Sequence, residues 1–339
     1  MTDRLSSADP ELLFVLSESR ELGRAIAAAA GAEAAPLEER HFERGEFKLR
    51  PLVSVRDRDV VVIQSLSAGA DVPIAERFVR LLFLLAGLRD AGARQRIACV
   101  PYLAYARKDR RTQPRDPVNT RYVAELLEAA GLSRLLALDV HNPAALDNAF
   151  RVPVDHLSAL PMFADHFARR LAGAPLAVVS PDVGGIKRAQ LFREQLAERA
   201  AAAVDLAFVE KRRVGGVVSG GLLAGDVAGR SVIILDDLCA SGGTLVRAAR
   251  ACRDAGANAV FAAVTHAPLH EGLEVLAAEP ALDGVVITDS VGESFAGRVA
   301  ASGGRLQVLS VAPLFGAALR RMREHRPLTP LLLRWPPAD

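Results

Sequence analysis

The strongest constraint on the fold is an alternation of short, β-rich apolar runs with longer helical patterns. The runs are Val60 to Ile63, Ile97 to Val100, Leu135 to Leu138, Ala177 to Val179, Val232 to Leu235, Val260 to Val264 and Val285 to Ile287. Each is apolar at consecutive rather than alternate positions, which is the pattern of a strand covered on both faces, and covered parallel strands need helical crossovers. An α/β protein built on parallel sheets is therefore expected. Half of the 339 residues are hydrophobic and 24% are charged, enough apolar material for a core. At roughly 150 residues per domain the length suits two domains.

The two domains carry a sign of duplication. Arg89-Asp90-Ala91-Gly92-Ala93 ends one helical run and precedes the strand at Ile97, and Arg253-Asp254-Ala255-Gly256-Ala257 does the same before Val260. The copies are 164 residues apart, since 253 minus 89 is 164. A common helix stop, with Gly supplying the left-handed residue, would explain five residues by itself. The shared flanking order, a strand then a Gly-containing loop then the helix, favours two copies of one α/β unit. The second copy has Asp236-Asp237 where the first has Gln64-Ser65. The boundary is expected near Val154 to Pro161, giving domains 1–157 and 158–325 with a tail 326–339.

Composition excludes several classes. Lys plus Arg total 42 against 40 Asp plus Glu, and aromatics are 5%, too few for the stacking surfaces of single-strand binders, so no nucleic-acid role is expected. Cys99, Cys239 and Cys252 have no Cys-x-x-Cys spacing, which argues against a disulfide framework or zinc site and for a reducing, cytoplasmic setting. The run Leu12 to Leu16, with Asp3, Glu11 and Glu18 around it, is too short for a signal core. The longest apolar run, Leu81 to Leu88, is far below the roughly 20 residues of a membrane span, so no membrane association is expected.

The most informative segment runs from Ser231 to Leu245: a buried strand, the pair Asp236-Asp237 at its end, the small-residue turn Ala240-Ser241-Gly242-Gly243-Thr244, then a helix. Ligands of parallel sheets bind at the carboxyl ends of strands. Such a turn can aim backbone amides at a phosphate, with the helix dipole adding to the attraction. Two carboxylates beside that cradle suit the vicinal hydroxyls of a ribose. The combination describes a ribose 5-phosphate pocket, and neither a P-loop nor a Gly-x-Gly-x-x-Gly fingerprint competes with it.

This segment resembles the ribose-phosphate site of the type I phosphoribosyltransferase fold, and the remaining motifs make the chain similar to the ribose-phosphate pyrophosphokinase family. Those motifs are Phe42-Glu43-Arg44-Gly45-Glu46, Tyr105 to Arg111, Pro114-Arg115-Asp116-Pro117, Asp139-Val140-His141, Ser180-Pro181-Asp182-Val183-Gly184-Gly185 and Lys211-Arg212-Arg213. The resemblance covers about Phe42 to Leu314. It implies two tandem phosphoribosyltransferase-like domains, each a largely parallel sheet flanked by helices. It also implies transfer of the β,γ-diphosphoryl group of ATP to the C1 hydroxyl of ribose 5-phosphate, giving phosphoribosyl pyrophosphate and AMP.

By this resemblance Lys211 and Arg213 are the transition-state cations on a loop able to close over the triphosphate, and His141 and Asp182 ligate Mg2+. Imidazole is an unusual ligand for so hard an ion, and the carboxylate is the more expected one. Arg107, Lys108 and Asp109 contact ATP from a loop that Pro114 and Pro117 keep irregular. Phe42 and Glu46 read the adenine across a subunit interface, so a homo-oligomer, dimer-based and up to a hexamer, is implied. Asp236, Asp237 and the turn Ala240 to Thr244 take ribose 5-phosphate. Taken without the resemblance, each basic run reads as a solvated surface and a lone His as structural.

Several positions depart from the family's pattern. Arg44 stands where an acid is usual, Lys108 where Gln is usual, Ala240 where an acid is usual, and Asn142 to Phe150 replaces a Gln-rich stretch. The ending Leu331 to Pro337 is also unlike the usual one. A phosphoribosyltransferase that consumes phosphoribosyl pyrophosphate, and a catalytically inactive synthetase-associated subunit, are the competing readings. The duplicated domain and the retained cations and metal ligands favour the diphosphokinase.

Overall fold

The computed structural model describes residues 11–67, 72–214, 217–268 and 270–336, with the side chains of 211–221 and of residue 270 outside the description. The chain divides into two compact units, Met1–Leu157 with Phe315–Arg326, and Ser158–Leu314 with Pro327–Asp339. The first crossing falls at the Leu157–Ser158 junction, and residues 315–326 return to the first unit.

The first unit runs β1 (Leu12–Val15), α1 (Arg20–Ala29), β2 (Leu37–His41), β3 (Phe47–Pro51), β4 (Asp59–Ile63), α2 (Ile74–Asp90), β5 (Gln95–Val100), α3 (Asn119–Ala129), β6 (Arg134–Leu138), α4 (Pro143–Ala149) and β7 (Val154–Leu157). Its sheet has the order β1-β4-β5-β6-β7 and is parallel throughout. β2 and β3 form a separate antiparallel hairpin. Val60 to Ile63 are fully buried, and α2 lays Leu81, Leu84, Leu85 and Leu88 on the core at helical spacing.

The second unit runs α5 (Leu160–Arg170), β8 (Leu176–Ser180), α6 (Ile186–Ala200), β9 (Val204–Val214), β10 (Val217–Ala224), β11 (Ser231–Leu238), α7 (Gly243–Asp254), β12 (Ala259–His266), α8 (His270–Ala278), β13 (Gly284–Thr288), α9 (Ala296–Ala301), β14 (Leu306–Leu309) and the start of α10 (Ala312–Arg323). Its sheet order is β10-β9-β8-β11-β12-β13-β14, parallel except for the β9–β10 pair. β8 and β13 are buried along their whole length.

The duplication read from two Ala-Gly-Ala stops extends to the hydrogen bonds. Removing β9 and β10 leaves β8-β11-β12-β13-β14, the same connectivity as β1-β4-β5-β6-β7. Gly92 and Gly256 both take positive φ, 83° and 87°. Ala93 N donates to Leu88 O and Ala257 N to Cys252 O, each at 3.0 Å, closing the same helix stop. Asp57 N to Gly92 O matches Gly229 N to Gly256 O, and Arg58 N to Val55 O matches Arg230 N to Val227 O. Even the parallel β8–β9 pairing has a remnant in the single bridge between Leu13 and Ala34. The units diverge at β9 and β10: in the first, the corresponding chain leaves the sheet as the β2–β3 hairpin.

Residues 315–326 dock on α1. Arg320 Nη1 donates to Ala29 O and Arg323 Nη2 to Ala30 O at 3.2 Å, so two cations satisfy carbonyls at the helix's C-terminus. A Cβ on Gly316 would lie 2.5 Å from Ala29 Cβ and 2.6 Å from Ala29 C. Gly316→Val is therefore expected to destabilise the protein by roughly 1–3 kcal/mol through overpacking. Gly297→Ala, where nothing lies within 4 Å, should be neutral or slightly stabilising. Denaturant midpoints of the two variants check this, and equal shifts would show that α10 does not dock in this way.

Candidate active site

Parallel pairing places the ends of β8 and β11 side by side, so the loops that leave them share one edge of the second unit's sheet. β11 ends in Asp236-Asp237-Leu238, and Asp237 is 4% exposed. Arg188, from the first turn of α6, places Nη1 2.8 Å from Asp237 Oδ1 and 3.9 Å from Asp236 Oδ1. The cation bridges two neighbouring carboxylates. Asp236 is pushed well above the usual carboxylate range by burial first, and then by its hydrogen bond with Asp237 and that residue's charge. Arg188 pulls it the other way, and the charge of Asp182 adds to the rise.

Asp182 follows β8 and caps the turn after it, accepting from Gly185 N at 3.2 Å through Oδ1. Ser180 Oγ donates to Asp182 O at 2.6 Å, and a Cβ on Gly185 would sit 2.7 Å from that Oγ. The motif Ser180 to Gly185 thus folds tightly on itself, with the Asp182 carboxylate bonded to the turn that it caps.

The small-residue turn is built on close backbone approach. Gly242 has φ +74°, and a Cβ there would lie 2.8 Å from Gly272 O; a Cβ on Gly272 would lie 2.2 Å from Ala240 O. Both glycines are required by this contact with α8. Cys239 N donates to His266 O at 2.8 Å, fixing the turn's entrance. Gly242 N-caps α7 without a side-chain hydrogen bond, and Val246 N to Gly242 O is the first intrahelical bond. The amides of Gly243, Thr244 and Leu245 therefore precede the helix ladder, the geometry of an anion cradle. Arg247 Nη2 donates to Thr244 Oγ1 at 3.2 Å, adding a cation to this first turn. The Cys239 thiol is buried and pushed up to about 11, mainly by desolvation, so it stays protonated and unreactive at neutral pH.

Lys211 and Arg213, expected on a loop, instead lie in β9, which continues past its last partner in β8, Ser180 opposite Phe208. There Lys211 pairs with Gly221 and Arg213 with Val218 of β10, with an irregularity between the two. Backbone pairing with β10 is what turns the expected loop into a strand. Their side chains and the Gly215-Gly216 turn lie outside the described residues.

In the first unit, β5 and β6 are parallel neighbours, so the loop after Val100 and the segment Asp139 to His141 leave the same edge. Residues 101–118 form neither helix nor strand. Arg107 is exposed, as are Arg110 and Arg115. Lys108 is engaged inside the loop: its Nζ is 2.5 Å from Asp116 Oδ2, which also accepts from Thr112 N, Thr112 Oγ1 and Gln113 N. Lys108 first, and then Thr112, hold the Asp116 carboxyl far below its ordinary range. Asp109 Oδ2 accepts from Asn142 Nδ2 at 2.6 Å, and Asn142 is the residue after exposed His141 and the N-cap of α4. The divergent stretch after His141 is thus a capped helix tied to the basic loop.

Phe42 and Glu46 flank the tip of the β2–β3 hairpin, joined by Phe42 N to Glu46 O at 2.7 Å. Phe42 is 42% exposed, with the Arg40 guanidinium 5.0 Å from its ring centroid. Arg44 adopts φ +65° at the tip.

Sequence reasoning missed Arg188 and Arg247. Both follow a recognised motif by one helical turn, at the start of α6 and of α7, and a cation at that offset is the signal that could have found them.

Two parallel α/β units, one with paired carboxylates beside a glycine-built cradle, define a tandem protein of the phosphoribosyltransferase type. Residues 12–131 match the N-terminal domain of ribose phosphate pyrophosphokinase, and residues 162–289 match the phosphoribosyl transferase domain. A ribose-phosphate pyrophosphokinase of Granulibacter bethesdensis is 36% identical over 320 residues, 94% of this chain and 99% of that one. One from Listeria ivanovii is 34% identical over 328 residues, 95% of this chain and 98% of its own. The crystal structure of phosphoribosylpyrophosphate synthetase from Mycobacterium smegmatis superposes with a TM-score of 0.83 at 30% identity, covering 94% of this chain and 100% of that one. The chain belongs to the ribose-phosphate pyrophosphokinase family.

The geometry around Asp237 makes a direct prediction. Asp237→Asn should raise the KM for ribose 5-phosphate by about tenfold or more, as expected when a buried charged acceptor is lost, and leave the KM for ATP nearly unchanged. Steady-state kinetics with each substrate varied decides this, and equal losses for both would overturn the pocket. An ionised carboxylate accepts hydroxyl hydrogen bonds more strongly than a neutral carboxyl, and the raised Asp236 carboxyl loses its charge earlier on acidification than an ordinary one. The KM for ribose 5-phosphate should accordingly climb as pH falls, starting above the usual carboxylate range.

Proposed function

We propose that the protein transfers the β,γ-diphosphoryl group of ATP to the C1 hydroxyl of ribose 5-phosphate, giving phosphoribosyl pyrophosphate and AMP. The observation that carries this reading is the Asp236–Asp237 pair beside the glycine-built cradle, in a chain matched over 94% of its length by ribose-phosphate pyrophosphokinases. In the reaction the C1 oxygen bonds to the β-phosphorus while the bond between that phosphorus and the α,β-bridging oxygen breaks. The hydroxyl proton leaves and AMP departs with the bridging oxygen.

Asp236 and Asp237 accept the ribose 2- and 3-hydroxyls, displacing part of the Arg188 contact. The amides of Ala240, Ser241, Gly242, Gly243 and Thr244 hold the 5-phosphate. Catalysis of this kind is mostly positioning and charge neutralisation. Lys211 and Arg213 supply cations toward the transferred group, from the part of β9 that runs beyond the sheet's edge. Arg107 contacts the triphosphate. Lys108 and Asp109 join it by exchanging their contacts to Asp116 and Asn142 for the nucleotide. Phe42 stacks on adenine and Glu46 accepts from its exocyclic amine.

Mg2+ is the implied metal. Among the described residues no group of three or more His, Cys, Asp or Glu side chains forms a metal cage. That fits an ion held chiefly by phosphates and water, which needs only one or two protein ligands. Asp182, a carboxylate just after the end of β8, and His141, exposed at the strand edge, are the residues that would hold it. Bound there, the ion would neutralise triphosphate charge.

The exposed tip of the hairpin supports a homo-oligomer, dimer-based and up to a hexamer, in which Phe42 and Glu46 complete a neighbour's ATP site. Among the described residues no helix is long and apolar enough to cross a membrane. The three cysteines are buried free thiols, which suits the cytoplasm.

Incubating the protein with ATP, Mg2+ and ribose 5-phosphate should yield AMP and phosphoribosyl pyrophosphate in equal amounts. No AMP from any of several nucleotide donors would sink the reading in favour of an inactive subunit. Lys211→Ala should lower turnover by roughly 10³-fold, the scale of a lost phosphoryl-stabilising cation, with ribose 5-phosphate binding preserved. A loss of less than about tenfold would remove Lys211 from the chemistry.

A further inference from the structure

The duplication gives a register between the units, and one residue stands out in it. Counted back along each helix from its stop, Arg80 in α2 falls at the position of Thr244 in α7, since 244 minus 80 is the same 164 that separates the two stops. Before the helices the matched positions stand 172 apart (229 minus 57), so the first unit carries eight more residues between strand and stop. α7 begins at Gly243, immediately after the phosphate turn, whereas α2 begins at Ile74, six residues before Arg80. The first unit has therefore continued its helix through positions that form the anion cradle in the second. At the place of Thr244 it carries a guanidinium that is fully buried.

Arg80 draws together three separate segments. Nη1 lies 2.7 Å from Glu18 Oε1, just beyond β1, and 3.0 Å from His41 Nε2 in β2. Nη2 donates to Glu39 Oε2 in β2 and, at 3.3 Å, to Ser17 Oγ. The guanidinium carbon lies 5.5 Å from the ring centroid of Phe47 in β3, and Glu76, one turn back in α2, is 3.9 Å away. Ser17 N also donates to Glu39 Oε2 at 3.2 Å. One cation thus touches both strands of the hairpin and the exit of β1. The base of the hairpin is held separately by Ala35 N to Leu13 O and Leu52 N to Pro36 O. Toward the tip it meets α2 through Arg80 and through Phe47, whose ring centroid is 5.5 Å from that of Phe83.

A buried ion pair is weak evidence for stability, because desolvation offsets the attraction. Here the bonding is incomplete as well: Arg80 Nε and Glu18 Oε2 have no hydrogen-bond partner. Such a cluster earns its place by fixing one geometry. The residue next to His41 is Phe42, and Glu46 precedes Phe47, so the two hairpin residues that Arg80 touches nearest the tip are the immediate neighbours of the adenine readers.

We propose that Arg80 is a positioning residue for nucleotide binding: it sets the angle of the β2–β3 hairpin, and with it Phe42 and Glu46. At the helical position that matches the start of α7, the first unit carries an internal cation that acts as a clamp on the hairpin. This inference rests on the adenine reading of the hairpin given above.

The test compares Arg80→Met, Arg80→Lys and Phe42→Ala in the full chain, reading the KM of each substrate and the hydrogen exchange of residues 37–51. Arg80→Met should raise the KM for ATP by about tenfold, hold that for ribose 5-phosphate within about twofold, and speed exchange in the hairpin while β4 and β5 stay protected. Arg80→Lys, which keeps the charge and loses the fork, should fall between. If Arg80→Met also loses protection in β4, Glu39→Gln gives the same readout with Arg80 in place, and the same split is expected. An ATP KM within about twofold of the parent in the folded variant, or equal rises for both substrates, overturns the proposal. Phe42→Ala separates the two ideas. Its ATP KM unchanged would overturn the adenine reading and the inference with it, whereas a rise there without one in Arg80→Met overturns the role of Arg80 alone.

Discussion

Parallel strand pairing with both faces covered is the constraint from which the rest follows. A strand such as Val232 to Leu235, buried on both sides, has no exposed face on which to carry chemistry, so polar residues are confined to the ends. Because the strands of each main sheet run the same way, apart from β10, the loops at their carboxyl ends gather on one edge. In the second unit this brings Asp182, Asp236, Asp237 and the glycine turn together, and it sends the end of β9 past the same edge. In the first unit it brings the basic loop after β5 beside the segment that ends in His141.

At that edge the second unit holds an electrostatic tension that suits a sugar ligand. Two adjacent carboxylates are partly desolvated, and burial pushes Asp236 toward its neutral form. Arg188 opposes this from one side, at hydrogen-bond distance from Asp237 and farther from Asp236. Vicinal hydroxyls would supply donors to the carboxylates without adding a competing charge. A phosphate held a few residues later by backbone amides would not depend on the side chain at position 240. Replacement of the family's usual acid by Ala240 is therefore compatible with an intact cradle, and the requirement falls on Gly242 and Gly272.

The parts of this architecture legible in the sequence were those set by local pattern. Continuous runs such as Val60 to Ile63 announce covered strands, and Ala-Gly-Ala announces a helix stop, because each is decided by burial or by the φ of one glycine. Asp236-Asp237 and the turn after it were legible for the same reason: the cradle is contiguous in the chain. Residues whose role depends on pairing across distance were not. β9 and β10 mix Lys211, Arg212 and Arg213 with Gly220 and Gly221, and only their register makes them strands. Lys108 reads as a free cation until the fold brings Asp116 to it, and the two partners are separated by a turn whose shape no periodicity encodes. Arg188 and Arg80 look like ordinary helix-surface arginines in sequence, and the faces on which they lie are settled only by the packing of α6 and α2.

The comparison of Arg80 with Thr244 shows how the duplicated unit could divide its labour. An anion cradle at a helix start works because unpaired amides wait for a negative ligand. Extending the helix backward, as α2 does, pairs the amides at those positions internally and moves the open helix start back to Ile74. Arg80 lies in that helical stretch, fully buried, and a buried cation is costly without acceptors. Glu18 and Glu39 supply them, one from the exit of β1 and one from the hairpin, so the added stretch of helix and the hairpin meet through the same cation. The second unit begins its helix at the glycine turn and keeps its β9–β10 pair in the sheet, whereas the first begins its helix earlier and releases the hairpin. The near-neutral net charge of +2 conceals this pairing: in each unit two carboxylates meet an arginine, Asp236 and Asp237 with Arg188 in the second and Glu18 and Glu39 with Arg80 in the first.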